Sequence, residues 1–125
     1  MSGLPMNSMQ RTLTTLGHQE PDQVPPFLLT TMHGAKELDI SIEEYFSSSK
    51  NVVEGQMRLL KKYRSDCLFP LFYGAIETEA WGGGVIYRTD GPPNAGEPVI
   101  QKVEDIDSIK APKVNESACL MRVID

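Results

Sequence analysis

The sequence predicts an α/β fold, and two observations carry that prediction. Phe27 to Met32 and Cys67 to Tyr73 are short, nearly all-apolar runs without alternation, the pattern of strands buried on both faces in a parallel sheet covered by helices. Between them runs a helical pattern, with Val52, Val53, Met57, Leu60 and Tyr63 on one side and Lys50, Glu54, Arg58, Lys61 and Lys62 mostly on the other. The order is strand, helix, strand, which predicts one βαβ unit with a right-handed crossover.

The flanking elements follow in chain order. Met6, Met9, Leu13 and Leu16 are spaced as one face of a helix over Met6 to Gly17, and Gly17 stops it. Gln19 to Pro26 is too rich in proline for helix and forms a stiff approach to the first strand. Ser41 with Glu44 three residues on fits a capping box for a short helix whose apolar face is Ile42, Tyr45 and Phe46. Ser47-Ser48-Ser49 interrupts it, and the long helix then ends near Lys62-Tyr63-Arg64, where basic side chains suit the negative end of the helix dipole. Ala75 to Trp81 reads as a helical turn stopped by Gly82-Gly83-Gly84. Val85 to Arg88 and Glu97 to Ile100 read as a β-hairpin around the turn-rich Asp90 to Gly96. Val103 to Ile109 reads as a short helix broken at Ala111-Pro112, and Asn115 to Asp125 has helical spacing at Leu120, Val123 and Ile124.

Composition excludes several functions. With 17 acidic side chains against 12 Lys and Arg, a net charge of -5 and no basic cluster, the chain has no face for a phosphate backbone, so no nucleic acid is expected. The longest apolar stretch lies within Cys67 to Tyr73, far short of the roughly 20 residues of a membrane span. Met1 to Asn7 has neither a charged start nor an apolar run, so a cytoplasmic address is expected. The two cysteines, Cys67 and Cys119, then read as buried thiols rather than a disulfide framework. Asn115-Glu116-Ser117 matches a glycosylation sequon without the secretory route that would use it. Gly82-Gly83-Gly84 lacks the Lys and Ser/Thr of a phosphate loop.

The opening helix with Arg11, then Gly17 and Glu20-Pro21-Asp22-Gln23-Val24-Pro25, resembles the start of the uroporphyrinogen decarboxylase superfamily. Glu77-Thr78-Glu79-Ala80-Trp81-Gly82, a hairpin, and Val103-Glu104-Asp105-Ile106 ahead of Pro112 extend the resemblance through most of the chain. It is similar in particular to the corrinoid-dependent methyltransferase branch, of the methylcobamide:coenzyme M type. The resemblance implies the N-terminal part of a (β/α)8 TIM barrel, a fold of about 250 residues. Residues 1–125 would supply a leading helix, two parallel strands with their crossover helix, an inserted β-hairpin and the start of the next helix. It also implies the function: methyl transfer between a corrinoid protein, the expected partner, and a thiol or other small-molecule acceptor. The alternatives are a decarboxylase relative and a catalytically incomplete fragment that acts by associating with a partner chain; the isolated chain is expected to be inactive and to self-associate.

Departures from the family pattern separate these readings. Decarboxylases of the family carry arginines after the first strand and an aspartate at the end of the second, whereas Thr31-Met32-His33-Gly34-Ala35 has no arginine and Phe72-Tyr73-Gly74 no aspartate. Thr and His cannot replace the bidentate clamp that Arg offers to substrate carboxylates. The methyltransferases hold zinc through a His-x-Cys pair and a distant Cys on later strands. His18, His33, Cys67 and Cys119 match no such motif, so no metal residue and no cofactor are expected on this chain alone; zinc, and a corrinoid on a partner protein, belong to the full-length enzyme.

Within the resemblance, five residues are candidates for the site. His33 follows the first strand, at the end that faces a barrel's active site; alternatively it caps the strand. Glu77 and Glu79 match acidic positions of the family phrase, and two residues apart they point to different sides. Glu79 is the candidate catalytic residue, orienting a substrate ammonium or a ligand histidine or acting as a base, with acidic preference at a helix N-terminus the equal alternative. Tyr73, Glu77, Trp81 and His33 are the candidate substrate-binding residues, the rings of Tyr73 and Trp81 offering flat walls, although core packing is the competing role for Trp81.

Overall fold

In the computed structural model, which describes residues 5–69 and 72–124, the chain is a helix-rich unit with one two-stranded sheet. Its helices are α1 (Ser8–Leu16), α2 (His33–Leu38), α3 (Ile42–Phe46), α4 (Ser49–Tyr63), α5 (Ile76–Ala80) and α6 (Ala118–Ile124), with strands β1 (Val85–Ile86) and β2 (Asn94–Ala95) and 3-10 turns at Val103–Ser108 and Val114–Glu116. No described helix is long and apolar enough to cross a membrane.

Local chemistry sets most boundaries. Asn7 caps α1, its side chain accepting from Gln10 N while Gln10 reaches back to Asn7 N, and Gly17 ends the helix. Ser41 Oγ accepts from Glu44 N at the start of α3. Ser47 closes α3, Ser48 opens α4, and Arg64 ends α4 in the left-handed region at φ 52°. Gly82, at φ 90°, lets the chain turn out of α5 where a side chain would be strained.

The core gathers around Phe46, whose ring meets Tyr45, Phe72 and Tyr73 at centroid distances of 5.0, 6.2 and 5.3 Å. Ala35, Val52, Ala75, Ile76 and Cys119 complete it, so α2, α3, α4, α5 and α6 share one apolar centre. Helices α2 and α4 touch through their backbones: a Cβ on Gly55 would lie 2.8 Å from Gly34 Cα and 2.7 Å from Tyr45 Cε2. Only glycine at both positions permits that approach.

Several expectations from the sequence are corrected. The run Phe27 to Met32 forms no strand, its last two residues being a turn into α2, and neither do the described residues of Cys67 to Tyr73 form one; Pro70 and Leu71 of the second run lie outside the described residues. The two runs do lie side by side, Asp66 N donating to Pro26 O at 2.9 Å and Phe27 packing edge-on to Phe69 at 5.9 Å. The first run then turns on itself, Thr30 N donating to Leu28 O at 3.0 Å and His33 N to Thr30 O at 3.1 Å. The Thr30 and Thr31 carbonyls accept from Gln56 Nε2. A parallel βαβ unit and the barrel portion it would begin are therefore not formed among the described residues. Nor are the runs buried on both faces, since Phe27 and Leu29 are more than half exposed.

The helix faces differ from the expected ones as well. In α1, Met9, Leu13 and Leu16 are 72%, 61% and 70% exposed and the inward residue is Arg11. In α4 the buried face is Val52, Gly55, Gln56 and Leu59, while Val53, Met57 and Tyr63 are exposed. The closest contact of α4 is through Gly55, and that rotates its apolar stripe partly outward. The hairpin pairs Val85 with Ala95 and Ile86 with Asn94: β1 lies in the expected first strand, whereas β2 lies inside the segment expected as the loop, because Gly96 N donates to Gly84 O and fixes the register three residues early. Helix α2 is additional to the elements read from the sequence.

Candidate functional site

Helix α5 distributes the candidate residues between two faces. Glu79 turns inward: its carboxylate accepts from the Tyr73 hydroxyl in a short hydrogen bond and from Arg122 Nη2 at 3.0 Å. Arg122, on α6, also donates from Nη2 to the Tyr73 hydroxyl at 3.3 Å and from Nη1 to the Phe46 carbonyl at 3.1 Å, and its Nε is buried without a partner. Cys119 Sγ, one turn earlier on α6, lies 3.7 Å from the Ile76 carbonyl and holds the two helices together. The Tyr73 ring packs edge-on against Tyr87, centroid to centroid 6.2 Å. Burial pushes the Tyr73 phenol far above its ordinary range, and the bonds to Glu79 and Tyr87 add to the shift. Tyr73 is thus a neutral donor, and Glu79 a carboxylate with both oxygens engaged and its charge compensated by Arg122. Bonded on both oxygens, the Glu79 carboxylate is held in one orientation between Tyr73 and Arg122.

Glu77 turns the other way. Four residues before Trp81, it shares a face with that ring, and both border an open cavity of about 500 Å³ whose far side is Pro98, Val99, Ile100 and Ile109. His33 lies apart from both groups. It is the first residue of α2 rather than a strand end, is exposed, and borders a cleft of about 500 Å³ with Tyr87 in its wall. The other charged side chains of that cleft are Lys36 and Arg88 against Asp39, Glu43 and Asp90. The five sequence candidates therefore fall into three places: Tyr73 with Glu79, Glu77 with Trp81, and His33. Tyr87 connects the first to the third, bordering the cleft on one side and Tyr73 on the other.

Two charged residues gain functions that spacing did not reveal. Arg122 completes the Tyr73 and Glu79 cluster from 43 residues beyond Glu79. Arg11 is buried and donates to Asp22 at 2.7 Å, to Asp66 at 2.5 Å and to the Met6 carbonyl at 2.8 Å, fastening α1 to the start of both extended runs. The Arg11 bond, with a smaller contribution from Met6 N, holds the Asp22 carboxyl down to about 2 against burial, which acts in the opposite direction. The basic tripeptide expected to close α4 offers one such partner, Lys62 Nζ, which bonds Glu37 on α2 at 2.6 Å.

Among the described residues no three His, Cys, Asp or Glu side chains come together as a metal site, and Cys67 and Cys119 are both free thiols.

No curated protein and no solved structure matches the chain. A family model does: the model described as uroporphyrinogen decarboxylase matches residues 7–125, from the cap of α1 through α6. The match takes in Arg11, the Glu77 to Gly82 phrase and Arg122, and the chain belongs to the uroporphyrinogen decarboxylase family, whose fold is the TIM barrel.

Proposed function

We propose that the chain is the N-terminal part of a corrinoid-dependent methyltransferase, moving a methyl group between a corrinoid protein and a thiol or another small acceptor. The observation that carries this reading is the charge of the cleft beside His33. Lys36 and Arg88 face Asp39, Glu43 and Asp90, so the cleft has no excess of cations with which to hold a substrate bearing many carboxylates. A small or neutral acceptor is compatible with that balance. Behind Tyr87, the Tyr73, Glu79 and Arg122 cluster supports the cleft's wall from one residue further in, with Glu79 as the positioning residue. Zinc and the corrinoid belong, on this reading, to other segments and to the partner protein. The exposed apolar residues of α1, together with Phe27 and Leu29, support a companion proposal that the chain associates, with itself or with a complementary chain.

The test compares two substrates. The complete polypeptide carrying this segment is supplied with methylcobalamin and a thiol, and separately with uroporphyrinogen, while the 125-residue chain alone serves as the control. Methyl transfer by the complete polypeptide, with none by the control, is the expected result. Carbon dioxide release from uroporphyrinogen by the complete polypeptide overturns it, and turnover by the isolated chain overturns the view that the segment is only part of the catalyst.

A further inference from the structure

We infer that the cavity between α5 and the 95–100 segment binds a small organic cation with an alkylated nitrogen, such as a trimethylammonium group. Three properties of its lining point there. Glu77 is the single charged residue among the described residues that border it, so the cavity presents one negative charge and no positive one. Trp81 borders it with 43% of its surface exposed, although a Trp in a chain of this size ordinarily finds cover in the core. Pro98, Val99, Ile100 and Ile109 make most of the remaining wall apolar, Thr78 adding one neutral hydroxyl. A carboxylate, an indole and an alkyl wall in one cavity match a cation whose charge is spread over methyl groups. The indole attracts such a cation when it lies within about 6 Å of the ring centroid, and the wall gives its methyls an apolar surface to lie against. An inorganic cation would need further oxygen ligands that these residues do not supply, and an anion would meet Glu77.

The position of Glu77 strengthens the argument. Glu79, two residues along, is committed to Tyr73 and Arg122, whereas Glu77 makes none of the ion pairs of the described residues. It is the carboxylate of α5 left available to a ligand, and its spacing of four from Trp81 puts the two groups over the same opening. The volume of about 500 Å³ lies in the range of small-ligand cavities, about 300–1,000 Å³, and accommodates a choline-sized molecule. The inference is independent of the methyl-transfer reading, because it concerns binding and is measured without turnover.

The chain's one tryptophan gives a direct readout. Choline is titrated into the purified chain while Trp81 fluorescence is followed, with the uncharged tert-butyl analogue of the same shape as comparison and far-UV circular dichroism as the check on folding. A saturable change with choline is expected, with the neutral analogue at least about tenfold weaker. Glu77→Gln is expected to weaken choline about tenfold while leaving the analogue unchanged. Should Glu77→Gln fail to fold, Ile109→Lys, which brings a positive charge to the wall, is expected to remove choline binding in its place. Absence of a saturable signal, equal affinity for the two ligands, or choline binding unaffected in the folded variant overturns the inference.

Discussion

Replacing Gly55 by alanine tests the central packing claim, because two effects of opposite sign meet at that position. Alanine raises helix propensity inside α4 by about 1 kcal/mol relative to glycine. Against this, the new Cβ would lie 2.7 Å from Tyr45 Cε2 and 2.8 and 3.0 Å from Gly34 Cα and C, where carbon atoms settle at about 3.5–4.0 Å. Relief needs a movement of roughly 1 Å by groups with little freedom, the fully buried Tyr45 ring and the α2 backbone. Overpacking of a rigid site costs about 3 kcal/mol, at the upper end of the usual range, so the balance is a loss of about 2 kcal/mol. With a urea m-value of about 2 kcal/mol/M, the unfolding midpoint should fall by about 1 M. Equilibrium urea unfolding followed by circular dichroism measures it, with Gly91→Ala as control, since the nearest atom to a Cβ there is Arg88 Cδ at 3.9 Å. An unchanged or raised midpoint for Gly55→Ala would mean that propensity wins and that α2 and α4 are not in backbone contact.

Three further outcomes are expected. The Asp22 carboxyl, held near 2 against an ordinary 3.8, is more acidic in the folded chain, so its contribution is present above about pH 4 and lost as the pH falls toward 2; Asp22→Asn should flatten the stability curve across that window, and an unaltered acid limb would refute the Arg11 pairing. Tyr73 titrates in the opposite sense: its phenol is raised in the fold, so its contribution is present below the ordinary value of 10.0 and lost as the pH rises above it. Tyr73→Phe should therefore make unfolding less sensitive to alkali, while Tyr45, also raised by burial, keeps part of the effect. Leu13→Glu, on the exposed stripe of α1, should leave the melting temperature nearly unchanged and shift sedimentation equilibrium toward monomer; identical mass distributions for the two proteins would count against association through this face.

The elements carrying their own end signals were legible in the sequence. Ser41, the serine triplet, Gly17 and Gly82 act through backbone groups within a few residues of themselves, and the helices they bound are found close to where these residues place them. Helix α2 has no such signal. Its N-cap Met32 makes no side-chain cap bond, and its Gly34 and Ala35 are buried against neighbours distant in sequence, so it owes its place to tertiary packing. Spacing in α1 and α4 identified apolar stripes but not what the stripes face, because periodicity carries no information about a partner. At the site, the different sides of Glu77 and Glu79 followed from helical geometry alone. Which side was inward did not, since that depends on Arg122, and no local pattern ties an arginine on α6 to a carboxylate on α5.

The inward Arg11 of α1 gives that helix an unusual thermodynamic character. A helix docked by apolar area exposes that area on release, and its detachment carries a heat-capacity change and a denaturant slope in proportion. Helix α1 keeps its leucines and Met9 in solvent and is fastened by a guanidinium shared between Asp22 and Asp66, so its release uncovers little new apolar surface. Its departure is then a local event, nearly silent to urea and to calorimetry, while the centre around Phe46 stays folded. The first nine-residue helix of this chain behaves as a latch set by charge, and whatever covers its apolar stripe would be what turns the latch into part of the cooperative fold.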